Sequence, residues 1–510
     1  MTKRPLLAGT LLLTLAGLLS RILGFFYRIF LSRTIGAEGL GIYQMIFPIH
    51  GIAFALCAGP IQTSISRLTA ASPEKGKAIF RTGLAISLTI AMALLFTIRT
   101  SKAFLASHVL LESRCEPLLP VMALSIPFSA IHACICGYYY GRKKTAVPAL
   151  SQLVEQCIRM GAVFLIARIA AERKEPIEVS LAVWGMLLGE AGSSIFSFLV
   201  YSFTSDNDSF PEDHSSGTEV SRPRFSDAAP LMAMALPLMG NRLILNCLQS
   251  MEAIFVPNKL LAFGMSSREA ISTYGVLTGM ALPFILFPSA ITNSLAVILL
   301  PTVSEAQAQG NQNRIESTIA MALRYSLYMG ILCIGIFTLF GEELGLTVYQ
   351  NRDAGIFMSI LAWLCPFMYL STTMGSILNG LGKTAAVFLH HAVSMLLILA
   401  IVVFAIPQYG IHAYLAGLLL GELLLAALHI HTLSAAVPIR FHAAAMLVKP
   451  SLCLIVAIGI LRALLPWLTP LQKMLPAEFL FVLGKAGLLT VLYGAGLLLL
   501  HVRTNGVRFP

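Results

Sequence analysis

Charge is scarce in this chain. Only 12% of its 510 residues are Asp, Glu, Lys or Arg, against 57% hydrophobic, which is too little polar material to cover a water-soluble globule. Absent too are a glycine-rich phosphate loop, a His-Glu-x-x-His helix and a Gly-x-Ser-x-Gly elbow, so nothing argues for a nucleotide-driven pump, a zinc hydrolase or a serine hydrolase. The outer loops are short, which disfavours a membrane-embedded glycosyltransferase with an acidic outer domain. No enzyme, cofactor or metal site is expected. The nine cysteines are scattered, and Cys57, Cys157, Cys247 and Cys453 lie inside apolar segments as small hydrophobes. Cys134 and Cys136 are one residue apart, so on a helix they diverge and cannot share a metal.

What is present is hydrocarbon in long runs. A membrane crossing takes about 20 mostly apolar residues as a helix. An open sheet leaves its backbone unsatisfied in lipid, and the alternation of a membrane barrel is missing. The predicted fold is therefore all-α and polytopic. Spans are predicted at 8–31, 42–66, 78–98, 117–140, 147–170 and 180–203, then at 228–256, 271–301, 318–341, 355–379, 384–406 and 410–432, with a final pair at 446–465 and 478–501. The basic start Lys3-Arg4 before Leu6–Leu19 imitates a signal peptide. The apolar run continues through Ser20-Arg21-Ile22-Leu23-Gly24 with no cleavage pattern, so it reads as an uncleaved first helix.

These fourteen spans divide as two six-helix bundles, 1–204 and 228–432, joined by a polar linker at 205–227 and followed by two more helices in 433–510. Internal similarity supports the division. Pro127-Phe128, Gly141 and Lys144-Thr145-Ala146 recur with identical spacing as Pro366-Phe367, Gly380 and Lys383-Thr384-Ala385. Gly185-Met186-Leu187-Leu188-Gly189-Glu190 is echoed by Gly417-Leu418-Leu419-Leu420-Gly421-Glu422. A pseudo-twofold relation follows. The net charge of +11 reads as topology plus a cationic pathway, not as a nucleic-acid footprint. A modest Lys/Arg bias, with Lys75, Lys77, Arg81, Arg142 and Lys143 on one side, places both termini and the linker in the cytoplasm, in a multi-pass protein of the cell membrane.

An ionisable side chain at a helix centre costs at least about 2.5 kcal/mol unless it meets water or a partner. The candidates are Arg21, Glu155, Arg159, Glu190, Arg242, Glu252, Glu422 and Lys485. Glu155 and Arg159 are four apart and can pair, either as self-neutralisation or as part of a pathway where substrate phosphate competes for Arg159. Arg21 and Arg242 have no carboxylate at helical spacing. Asn241, Asn246 and Gln249 make the seventh span polar along its length, which suits a cavity wall. Glu190 and Glu422 are either functional or anchors near a helix end, and Lys485 is expected to snorkel to the surface. His50, His132, His390 and His391 read as interhelical hydrogen-bond donors rather than proton relays. Pro48 and Pro60 in the second span, and Pro288 and Pro301 in the eighth, are candidate hinges in the same ordinal helix of each half.

Ser20-Arg21-Ile22-Leu23-Gly24-Phe25-Phe26-Tyr27-Arg28, followed by Ile35-Gly36-Ala37-Glu38-Gly39-Leu40-Gly41-Ile42-Tyr43-Gln44 and Pro48, resembles the opening signature of the stage V sporulation protein B group. That group belongs to the polysaccharide flippases, within the superfamily that also holds multidrug and toxin extrusion exporters and the lipid II flippase. The resemblance implies an undecaprenyl-diphosphate-linked sugar as substrate, alternating access between two lobes, and a cationic cavity lined by Arg21, with Arg28 near a second family arginine and Arg242 matched by its helix. The expected partners are that lipid-linked oligosaccharide, membrane lipids and cell-wall synthesis machinery, with a monomer as the working unit. A drug or cation antiporter of the same architecture would instead need an acidic cavity, and a non-transporting scaffold for envelope or spore-wall synthesis would need no buried charge.

Overall fold

The computed structural model describes residues 3–174, 176–205, 225–438, 442–472 and 478–504, so nearly all of the predicted linker falls outside the described part. Among the described residues the backbone is satisfied by helices, with no strand. The chain runs through α1 (Lys3–Met45), α2 (Phe47–Cys57), α3 (Gly59–Ala71), α4 (Gly76–Thr100), α5 (Leu119–Gly141), α6 (Ala146–Arg173) and α7 (Ser180–Ser205). It continues with α8 (Phe225–Ala262), α9 (Ser267–Gly275), α10 (Leu282–Leu286), α11 (Ser289–Ala308), α12 (Gln312–Leu344), α13 (Arg352–Leu361) and α14 (Cys365–Gly380). The last four are α15 (Thr384–Phe404), α16 (Ile411–Ser434), α17 (Lys449–Gln472) and α18 (Glu478–Thr504).

Among the described residues thirteen stretches are long and apolar enough to cross a membrane. They reconcile with the fourteen predicted spans in three places. Leu15–Ala71 is one apolar stretch covering two of those spans, and the eighth is cut into Ser267–Leu286 and Ser289–Ala308. Helix α6 is long enough at 28 residues, but Glu155, Arg159, Arg168, Glu172 and Arg173 lower its apolarity.

The breaks have local causes. Gly36 sits at φ 71°, ψ −177°, a conformation essentially closed to residues with a Cβ, and it kinks α1 five residues beyond the predicted end of the first span. Pro48 and Pro60 open α2 and α3, where a missing N–H costs nothing. Pro288 immediately precedes α11, after a π-helical turn at Val276–Ala281. Pro301 was expected to break the eighth span and does not: α11 runs through it without interruption. Membrane helices tolerate such a proline where neighbours re-satisfy the freed carbonyl.

Two compact units form, one of Met1–Asn258 with Ser266–Gly275 and one of Lys259–Met265 with Val276–Pro510. The first is centred on Ile61, Ile65, Phe80, Ile135 and Tyr138, with Leu231, Ala235 and Met239 of α8 packed into it. The second has Leu299, Val303, Ile319, Leu323, Met374 and Leu378 at its centre. Helix α8 through Asn258, and all of α9, are gathered with the first unit.

Within each unit the sequence repeat reappears as the same packing. A Cβ on Gly141 of α5 would lie 2.7 Å from the Ser66 carbonyl of α3, and one on Gly380 of α14 would lie 2.8 Å from the Leu300 carbonyl of α11. Gly185 and Gly189 of α7 admit Val163 and Arg159 of α6, while Gly417 and Gly421 of α16 admit Ile401 and Ile398 of α15. Lipid tails are as apolar as leucine, so close approach through small residues is what holds such helices together.

Candidate functional site

The interior of the first unit collects polar groups from five helices. Glu155 and Arg159 of α6 form the predicted ion pair, their side chains only 15% and 17% exposed. Gly189 of α7 makes room for it, since a Cβ there would lie 3.2 Å from Arg159 Nε. His132 of α5, Glu155, and Glu190 of α7 bring their ligand atoms within 4.8 Å of one another. The His132 ring is held between neighbours, with Nε2 at 2.9 Å from Ser151 Oγ and Nδ1 at 3.4 Å from Ser193 Oγ. Tyr27 and Tyr43 of α1 are buried within electrostatic reach of both Arg28 and Arg159. His50 of α2 stacks on Phe54, and its buried Nε2 has no hydrogen-bond partner among the described residues. The group holds two carboxylates, one of them already paired with a guanidinium.

A second polar face runs along α8. A Cβ on Gly59 would overlap the Arg242 guanidinium, one on Gly51 would lie 3.4 Å from Asn246 Oδ1, and Ser250 Oγ lies 3.4 Å from the Pro48 carbonyl. Residues 242, 246 and 250 are spaced by four and share one helix face. That face lies along the broken second span, with Arg242 beside the Gly59-Pro60 break. Asn241 and Arg242 are exposed and Asn246 is half-buried. On α1, Arg21 is exposed and Arg28 half-buried, seven residues further along. Among the described residues no carboxylate pairs with Arg21, Arg28 or Arg242.

A third cluster ties α1 to α9. Glu38 accepts from Arg114, and from Arg268 Nε at 2.9 Å, while Arg114 Nε donates to Glu112 Oε1 at 2.7 Å. Glu112 lies between spans and is 7% exposed. Burial opposes its charge, but hydrogen bonds from the Arg114 side chain and backbone outweigh this and hold its carboxyl below the usual range. Next to this cluster α1 and α9 cross at glycines: a Cβ on Gly275 would overlap the Ala37 carbonyl, and one on Gly41 the Ile271 carbonyl. Glu38 and Gly41 stand in the opening signature, yet sequence reasoning gave them no role, because their partners come from distant segments.

Two other sequence readings change. Lys485 does not snorkel: it is 7% exposed, ion-paired with Glu343 of α12 and placed over the Phe340 and Phe481 rings. Glu422 accepts from Ser371 Oγ at 2.9 Å. The repeat register sets Ser371 opposite His132 and Glu422 opposite Glu190, so each half places a carboxylate of its sixth span against a polar group of its fourth. Glu252 is half-buried on α8.

Comparison with known proteins follows from this layout. Stage V sporulation protein B of Bacillus subtilis (strain 168) is 29% identical over 455 residues, covering 86% of this chain and 85% of that one. Lipid II flippase MurJ in an inward closed conformation superposes with a TM-score of 0.72 at 14% identity, over 95% of this chain and 98% of its own. An inward-facing multidrug resistance MATE family transporter of the MOP superfamily gives 0.63 at 13% identity, over 82% and 95%. Repeated bundles and charges at membrane depth define a multi-pass membrane protein of the flippase and exporter fold. More particularly, the family model described as polysaccharide biosynthesis protein matches residues 6–307, and the chain belongs to that family.

Proposed function

We propose that this protein is a flippase that moves an undecaprenyl-diphosphate-linked sugar, such as a peptidoglycan precursor or polysaccharide unit, across the cell membrane by alternating access. The observation that carries the reading is the set of guanidiniums Arg21, Arg28 and Arg242 on α1 and α8, which lie within apolar spans without a carboxylate partner among the described residues. Each is costly in lipid. A diphosphate supplies the missing charge, and arginine binds phosphate oxygens in a planar, bidentate way that lysine does not. Asn241 and Asn246 add donors beside Arg242, and the Glu155–Arg159 pair holds a further guanidinium that a phosphate can recruit. The polyprenyl tail stays in lipid, along the appended α17 and α18. Helix breaks at Pro48, Pro60 and Pro288 serve as hinges, and both termini face the cytoplasm. Family membership and the names carried by the relatives agree with this reading.

The test is complementation of a strain depleted of its lipid II flippase, scored by outward exposure of lipid II. Wild-type protein restores exposure and Arg21→Ala, inserted to the same level, does not. Full transport by that variant removes Arg21 from the mechanism.

A cation antiporter is the second reading, favoured by the spacing of His132, Glu155 and Glu190. Glu155→Arg with Arg159→Glu tests whether the carboxylate acts apart from its guanidinium partner. Restored flipping in the double exchange supports a simple ion pair, whereas a double variant as inactive as the singles supports separate roles for the carboxylate.

A further inference from the structure

Three imidazoles meet inside the second unit. The ring centroids of His390 and His391 on α15 lie 5.1 Å and 5.7 Å from that of His429 on α16, each inclined by 70°. His390 is 8% exposed and His429 is fully buried. His390 Nε2 reaches Thr432 Oγ1 at 3.1 Å, but His390 Nδ1 and both ring nitrogens of His429 are buried with no hydrogen-bond partner among the described residues. A neutral imidazole carries one donor and one acceptor, and leaving both unmet out of water is unfavourable.

The internal repeat shows that the fold does not need histidine here. The register that aligns Pro127 with Pro366 and Lys144 with Lys383 sets Ser151 opposite His390 and Gln152 opposite His391. The register of the Gly-x-x-x-Gly-Glu segments sets Ser197 opposite His429. Gly375 of α14 stands where the first half has Cys136, and a Cβ there would come within 3.4 Å of the His429 ring. The second half thus carries imidazoles at two positions where the first carries hydroxyls, and a glycine beside them where the first carries Cys136.

We propose that His390 and His429 bind a divalent transition-metal cation of the zinc class. The three imidazoles do not bring one ligand atom each within 4.8 Å of one another in this structure, so His391 becomes the third ligand only through a change of rotamer. Zinc bonds imidazole nitrogen at about 2.0–2.1 Å, so two rings sharing a tetrahedral ion have centroids about 5 Å apart, close to the separations seen. An all-imidazole donor set suits zinc, cobalt, nickel or copper and not magnesium or calcium. His390 and His429 each lie within about two turns of a helix end, the start of α15 and the finish of α16, so an ion has a short path from the interface. Once bound, it would pin α15 to α16.

The experiment uses the full chain in detergent micelles without a polyhistidine tag. Zn²⁺ is titrated against a chromophoric chelator, and Co²⁺ is added separately for its visible absorption. One ion per chain, with the intense bands of tetrahedral cobalt, is expected. His390→Ser and His429→Ser, which reproduce the first half's residues, should weaken binding by at least ~tenfold, as loss of a ligand should cost no less than loss of an outer partner. His391→Gln, at a half-buried position, carries the same expectation should either serine variant fail to fold. His108→Ala, at an exposed site outside the cluster, should bind as wild type does. Absence of stoichiometric uptake, or uptake that survives in the folded cluster variants, overturns the site.

Discussion

Single residues show most clearly what a sequence hides. Lys485 looked like a surface cation because its partner, Glu343, is 142 positions away. The two ends of that pair are unequal, with side-chain exposures of 8% for Lys485 and 48% for Glu343. Glu343→Gln therefore strands a buried ammonium and should cost about 3–5 kcal/mol, while Lys485→Met leaves a carboxylate that can reach water and should cost clearly less. Thermal unfolding in detergent measures both, and the double variant should recover much of the Glu343→Gln loss. Equal losses for the two singles would show that the burial asymmetry is irrelevant. Glu112 gives a pH-dependent counterpart. Its carboxyl is held below the usual range, so its contribution is complete above the unfolded value and disappears as pH falls through the lower folded one. Wild type should be more stable than Glu112→Gln at neutral pH, and the gap should close below about pH 4. A gap that persists in acid would mean that the Arg114 contacts do not depend on the charge. By contrast, the Glu155–Arg159 pair was legible from spacing alone, since four residues along a helix is a local fact.

At the scale of elements, the sequence located nearly every helix, because hydropathy records how much of the chain faces lipid. It could not say why particular glycines sit where they do. The signature around Gly36 and Gly41 identified a resemblance, whereas the structure supplies the reasons: a backbone turn at one and a helix crossing at the other. Gly275, the other side of that crossing, stood in no motif at all. Gly275→Ala should lower the unfolding temperature, with an overpacking cost of about 1–3 kcal/mol, because the colliding atom is a backbone carbonyl that cannot swing away. Gly459→Ala is the control, as a Cβ there meets nothing within 4 Å, and it should leave stability unchanged or raise it slightly. Similar melting of the two variants would show that the α1–α9 crossing yields easily. Prolines were read less well. Three of the four begin or precede a helical segment as expected, but Pro301 rides inside α11, because neighbouring contacts decide whether a proline breaks a membrane helix.

For the whole molecule, the internal repeat was the most informative signal in the sequence, since matched spacing at two places reappears as matched packing within each unit. What it could not convey is where the compact units begin and end. The second half of the sequence opens with α8, yet Leu231, Ala235 and Met239 of that helix are buried in the first unit among Ile61, Ile65, Phe80 and Tyr138. Polarity made 205–227 look like the natural seam, but burial of those three side chains carries packing across it. A chain cut at a protease site engineered between residues 206 and 224 should consequently yield two fragments that stay together. Each buried apolar side chain resists separation only modestly, but three from one helix, together with Arg242 at Gly59 and Ser250 at Pro48, form a continuous seam. Size-exclusion chromatography of the cut protein in detergent should give a single peak containing both fragments. Leu231→Asp with Ala235→Asp should release them, because the charges fall among fully buried apolar neighbours. Separation of the unmutated fragments would mean that the α8 seam does not bind and that the covalent link alone keeps this helix with the first unit.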